Sequence, residues 1–210
     1  MMHYEGLNFK EDWKLLTILI GMNDICGYCG DKAHFSANNY IDRITHSLDM
    51  LMDKVPRMIV NMVQIMPLQL LREMRKPFTQ CPLLRFTCQC MTTTKSDSPE
   101  LYELVEVNLE YQKRLEEVLS SGRFFKKDFA VVLQPFLMHT SVPRKPNGKV
   151  DLTYFSLDCF HLSVKGHEEL AKGLWNNMFE PVGQKTTVRS YPTRLRCPPA
   201  EHPYIYTRPQ

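Results

Sequence analysis

Two blocks in this sequence have the residue types and spacing of a site for acyl transfer. Asp158-Cys159-Phe160-His161 separates a carboxylate from an imidazole by two residues. In a loop that spacing lets the carboxylate hold one ring nitrogen while the other faces a nucleophile, so the histidine can accept a proton and later return it. Far upstream, Gly21-Met22-Asn23-Asp24 closes an apolar run at residues 15–20. The Asn23 amide can donate to the negative oxygen that develops as an ester carbonyl becomes tetrahedral. A donor held there in advance is worth about 3 kcal/mol of barrier. Asp24 is expected to hold this loop by accepting backbone amides. Each block also has a plain structural reading: Gly21, Asn23 and Asp24 suit a strand-terminal turn, and Asp158 could cap a turn with His161 half-buried beside Phe160.

Placing these groups requires a layered fold. Residues 15–20 are apolar without alternation, as in a strand buried on both faces, and Met58–Val63 and residues 130–133 read the same way. Ser36 caps a helix with Ile41, Ile44, Leu48, Leu51 and Val55 at helical spacing, stopped by Pro56. Ser98 and Pro99 open a long helix ending near Gly122, with Leu101, Leu104, Leu109, Leu115 and Leu119 among its apolar face. Residues 67–75 suggest a brief helix, and residues 77–98 a cysteine- and threonine-rich loop. Ser163 caps a last helix, with His167, Leu170, Ala171, Leu174, Trp175 and Met178 on one side and Pro181 at its end. Strand-helix alternation repeated in this way implies a parallel sheet with helices over its faces, whose reacting groups collect beyond the carboxyl ends of the strands. His167 is a packing or capping residue on this reading, because no carboxylate is spaced to orient it. Lys126-Lys127 and Arg144-Lys145 read as solvated loop charges that could touch phosphate head groups.

The bulk properties narrow the class. At 210 residues and 43% hydrophobic content, the chain suffices for one domain, residues 1–186, and a Pro-rich extended linker or tail, residues 187–210. Its formal charge of +3 is scattered and comes without an aromatic-basic pattern, so no nucleic-acid partner is expected. No apolar stretch approaches the roughly 20 residues of a membrane-spanning helix. Met1-Met2-His3-Tyr4-Glu5 has no signal-peptide character. Seven cysteines favour an oxidising compartment and three disulfides with one thiol over, their connectivity open. Cys26-x-x-Cys29 with Cys88-x-Cys90 holding zinc is the competing reading.

Taken together, Asp12-Trp13-Lys14-Leu15, Ile20-Gly21-Met22-Asn23-Asp24-Ile25-Cys26, Val132-Leu133-Gln134-Pro135-Phe136, Asp158-Cys159-Phe160-His161-Leu162-Ser163 and Leu174-Trp175-Asn176-Asn177-Met178 resemble the membrane-associated phospholipase B branch of the SGNH, or GDSL-type, lipases. The resemblance covers about residues 7 to 186. It implies a three-layer α/β fold of the SGNH-hydrolase (flavodoxin-like) type, and cofactor-free hydrolysis of acyl esters in phospholipids, lysophospholipids, retinyl esters and glycerides. Asn23 then corresponds to an oxyanion-hole donor, Asp158 to the orienting acid and His161 to the general base, with Gly21 and Asp24 supporting the loop. It also implies a cell-surface, extracellular or lumenal setting, lipid substrates at a membrane, and neighbouring repeats of a longer polypeptide.

One departure matters. The family's Gly-Asp-Ser nucleophile block, expected upstream of Gly21, is absent, Gly30-Asp31-Lys32 being the nearest match, and Gly-x-Ser-x-Gly is missing as well. The expectation is an incomplete family sheet lacking its first strands, and a chain with little or no ester turnover by itself. The alternative is a non-catalytic repeat serving as spacer, folding or partner-binding module at a membrane surface.

Overall fold

The computed structural model describes residues 4–74 and 81–208. Met1 to His3, Arg75, the start of the expected loop at residues 77–80, and Pro209 lie outside them. Four strands, β1 (Lys14–Ile18), β2 (Met58–Val63), β3 (Phe125–Lys126) and β4 (Phe129–Gln134), form one sheet in the order β1-β2-β4-β3. β1, β2 and β4 are parallel, with Leu16 opposite Val60 and Val60 opposite Val131; β3 is a short antiparallel addition that periodicity alone did not suggest.

The helices are α1 (Met22–Gly27), α2 (Ala37–Lys54), α3 (Leu71–Met74), α4 (Leu84–Thr87), α5 (Gln89–Thr93), α6 (Pro99–Ser120) and α7 (Val164–Met178). The three serine caps form as expected, Ser36, Ser98 and Ser163 accepting from the N–H of Asn39, Leu101 and Gly166. Period-2 alternation then divides β2 between two layers. Met58, Val60 and Met62 pack with Ile44 and Leu48 of α2 and Leu104 and Leu115 of α6, while Asn61 and Val63 face α7. The result is a three-layer α/β arrangement of a mostly parallel sheet flanked by helices, in keeping with the SGNH fold.

Several expectations change. β1 is not buried on both faces: it pairs with β2 alone, and Leu15 and Thr17 are exposed, because α7 covers β2 and β4 but does not extend over β1. Leu109 points to solvent, and α6 instead buries the polar Asn108 and Gln112, whose side chains satisfy the Leu68 N–H and the Ile65 carbonyl. Residues 77–98 are not all loop. Their short helices α4 and α5 carry threonines whose hydroxyls bond the carbonyls of preceding turns, a local chemistry with weak helical propensity.

The same holds for α7 and the tail. On α7, Leu170, Leu174 and Met178 pack inward as expected, but His167, Ala171 and Trp175 lie outside and Gly166, Glu169, Gly173 and Asn177 are buried instead, the Pro-rich tail bonding to the helix. The Glu169 carboxylate accepts the Thr193 N–H at 2.5 Å, and the Asn176 and Trp175 side chains donate to the carbonyls of Arg194 and Arg196. No helix among the described residues is long and apolar enough to cross a membrane.

Candidate active site

β1 ends at Ile18, and Leu19 and Ile20 lead to Gly21 at φ 115°, which turns the chain directly into α1. That φ favours glycine, and a Cβ at Gly21 would meet the Tyr40 ring at 2.9 Å. Asn23 therefore sits, exposed, in the first turn of α1 beyond the carboxyl end of β1. Asp24 does not hold the loop as expected: among the described residues no backbone N–H donates to its carboxylate. Burial raises its pKa, and the charges of Arg43 and His34 pull it back down only in part.

Asp158 and His161 meet directly. His161 Nδ1 lies 2.6 Å from Asp158 Oδ2, while Oδ1 accepts the Ser156 hydroxyl at 2.5 Å and the N–H groups of Phe160 and His161 at 3.0 Å each. Burial pushes the Asp158 pKa upward, but these donors outweigh it and hold the carboxyl well below the usual carboxylate range. An ionised carboxylate only accepts, so Nδ1 carries the shared proton, and in the neutral ring Nε2 is the nitrogen with the lone pair. The ring is largely open to solvent, its side chain 69% exposed. The loop owes its tight shape to Cys159, which takes a left-handed φ of 56° and so turns the next two N–H groups back onto Asp158. A Cys81–Cys159 disulfide ties that residue to the segment before α4.

The Asp158 bonds set a pH dependence. A carboxyl with a lowered folded-state pKa stabilises fully above its unfolded value of about 4 and loses that contribution as pH falls through the folded value. Melting temperatures of wild type and Asp158→Asn should therefore differ by a constant amount from neutral pH down to about pH 5, then converge in stronger acid. A gap that stays constant down to the strongest acid tolerated would mean that the Asp158 carboxylate is not what the loop donors stabilise.

His161 and Asn23 line one cleft of about 260 Å³. Its walls are mainly apolar, with Leu19, Met22, Met66, Leu71, Met74 and Leu170 among them. Three of its polar residues were not apparent in the sequence: Thr140, Tyr191 and Arg189, the last two from the tail. Ser156 was missed as well, although a serine two residues before an aspartate is a local signal for the hydrogen bond it makes. His167 also lines the cleft, exposed and with no carboxylate partner among the described residues. The cysteines proposed for zinc are consumed otherwise, Cys26 with Cys88 and Cys29 with Cys90, and Cys197 is free and exposed.

A carboxylate-oriented imidazole from the loop before α7 and a side-chain amide beyond the carboxyl end of β1 thus line one mainly apolar cleft. The chain belongs to the GDSL-like lipase/acylhydrolase family, whose pattern it matches over residues 3–174. It is 42% identical over 206 residues to membrane-associated phospholipase B1 of Rattus norvegicus and 40% identical over 207 residues to that of Homo sapiens. Each match covers 96% of this chain and only 14% of the relative. No solved structure gives a significant match.

Proposed function

We propose that this chain supplies the general base, the orienting acid and one oxyanion donor of a phospholipase B-type hydrolase acting on lipid esters at a membrane surface. The serine nucleophile comes from a Gly-Asp-Ser segment outside these 210 residues, carried by a longer polypeptide with neighbouring repeats. What supports this reading most is the Asp158–His161 pair, Nδ1 anchored and Nε2 free, in the cleft that Asn23 also lines. Three disulfides suit an extracellular or lumenal setting.

In the reaction, His161 Nε2 takes the proton of the serine hydroxyl as its oxygen adds to the ester carbonyl, and Asp158 stabilises the imidazolium that forms. The Asn23 amide donates to the oxyanion. His161 returns the proton to the departing alcohol, then activates water to cleave the acyl-enzyme. The sequence of deprotonation and return needs one basic nitrogen open to the cleft, as His161 has.

Asn23→Ala, made in a domain that includes the serine segment, is expected to lower kcat on a short-chain ester by about 10²- to 10³-fold with KM little changed. Steady-state assays on a lysophospholipid and a monoglyceride check this. A change confined to KM would make Asn23 a ground-state contact. Full activity in the variant would favour a spacer or partner-binding role for these residues.

A further inference from the structure

Arg189, in the tail beyond α7, is 7% exposed. It passes close to Gly173, whose missing side chain makes room for the Phe136 ring, since a Cβ there would meet that ring at 2.7 Å and Arg189 Cδ only at 3.4 Å. Its guanidinium lies 4.6 Å from the centre of the Tyr191 ring, and Nη2 donates to the Tyr191 hydroxyl. Nε and Nη1 are buried and have no acceptor. The buried carboxylate of α7, Glu169, is committed to the Thr193 N–H and to Lys172, and Arg189 forms no ion pair among the described residues. A second buried polar group without a partner, the Thr140 hydroxyl, lines the same cleft. The His139 N–H joins its loop to the tail at the Thr187 carbonyl, 2.9 Å away.

A buried guanidinium with two idle donors is costly unless an anion completes it, and its planar fork matches paired oxygens. The carboxylate released by ester hydrolysis would form at Asn23 and His161, so the anion facing Arg189 must be a second one on the same molecule. A glycerophospholipid carries such a group, its phosphodiester, a few atoms from the ester; a neutral glyceride carries none. We propose that Arg189, with Thr140, is the phosphate-recognition subsite of this cleft and the residue that favours phosphorylated lipid esters over neutral ones. Tyr191 shields the guanidinium in this conformation, so the anion enters as its ring moves aside. The inference rests on the lipid-ester reading of the site.

Binding to the 210-residue chain tests it without any catalysis, by calorimetric titration with monohexanoyl lysophosphatidylcholine below its micelle concentration, monohexanoylglycerol and inorganic phosphate. The lysolipid should bind at least tenfold tighter than the monoglyceride, and phosphate should compete with the lysolipid. Arg189→Met should lower lysolipid affinity by roughly ten- to a hundredfold, the range for losing hydrogen bonds to a charged group, and monoglyceride affinity less than twofold. Its melting temperature without ligand should hold or rise, since the idle charge is gone. Arg189→Lys, which keeps the charge and loses the fork, should lose several-fold for the lysolipid alone. Equal affinity for both lipids, a Lys variant unchanged toward both, or a Met variant that melts several degrees lower would overturn the subsite while leaving the lipid-ester reading intact. Phosphate binding that depends on Arg189, with neither lipid bound, would keep the anion site and reject the lipid-ester reading. Failure of all three probes rejects both.

Discussion

His161→Ala, in a domain completed by a Gly-Asp-Ser segment, should lower kcat by about 10⁴- to 10⁶-fold, and the 210-residue chain alone should give no ester hydrolysis above background. The magnitude follows from the role. Without an imidazole the serine must lose its proton to water and the leaving alcohol must depart without a donor, so both halves of the reaction slow together. The pair geometry makes His161 the group to remove, because Asp158 already fixes its tautomer and leaves Nε2 as the one basic position. Asp158→Asn should cost about 10⁴-fold in the same assay, through the wrong tautomer. For the chain alone, p-nitrophenyl butyrate hydrolysis is the measurement. A rate abolished by His161→Ala would reveal a nucleophile within these residues. Ser141, which lines the cleft, is then the group to replace next. Ser156 is no alternative, since its hydroxyl is turned to the Asp158 carboxylate.

The second large effect concerns the cross-links. Cys26–Cys88, Cys29–Cys90 and Cys81–Cys159 span 62, 61 and 78 residues, and each taken singly restricts the unfolded chain by about 4 kcal/mol on the loop-entropy estimate, the first two largely sharing one loop. Domains of this size have about 5–15 kcal/mol in total. Full reduction should therefore unfold the chain at 37 °C, and Cys81→Ser with Cys159→Ser should lower the melting temperature by roughly 10 °C or more. Calorimetry with and without reductant provides the test, with mass spectrometry of alkylated protein counting thiols: one before reduction, at Cys197, and seven after it. An unchanged melting temperature with all seven thiols labelled would refute the estimate. The Cys81–Cys159 bond has a further consequence. It anchors the residue whose left-handed backbone aims two N–H groups at Asp158, so its loss should weaken the Asp158–His161 pair even where the sheet survives.

The local features of this protein were legible in its residues. A serine cap needs only the N–H three positions on, so Ser36, Ser98 and Ser163 marked three helix starts. Asp158 and His161 are neighbours in sequence and meet in one turn. Strand-helix alternation likewise implied the parallel sheet, because period and length are properties of single segments. The β3 edge strand is too short to leave a period at all.

What required the tertiary structure was every choice among long-range partners. Which cysteines pair, which face of α6 and α7 is buried, and how far α7 reaches across the sheet depend on elements that meet only after folding. Leu109 and Leu15 are thus exposed although helical spacing and an apolar run mark them as core, and Asn108, Gln112 and Glu169 go inside because distant backbone groups bond them. The cleft itself belongs to this class. Asn23, His161 and Arg189 reach it from the start of α1, the loop before α7 and the tail, and only chain packing could place an arginine from a Pro-rich tail against a site encoded by residues far upstream.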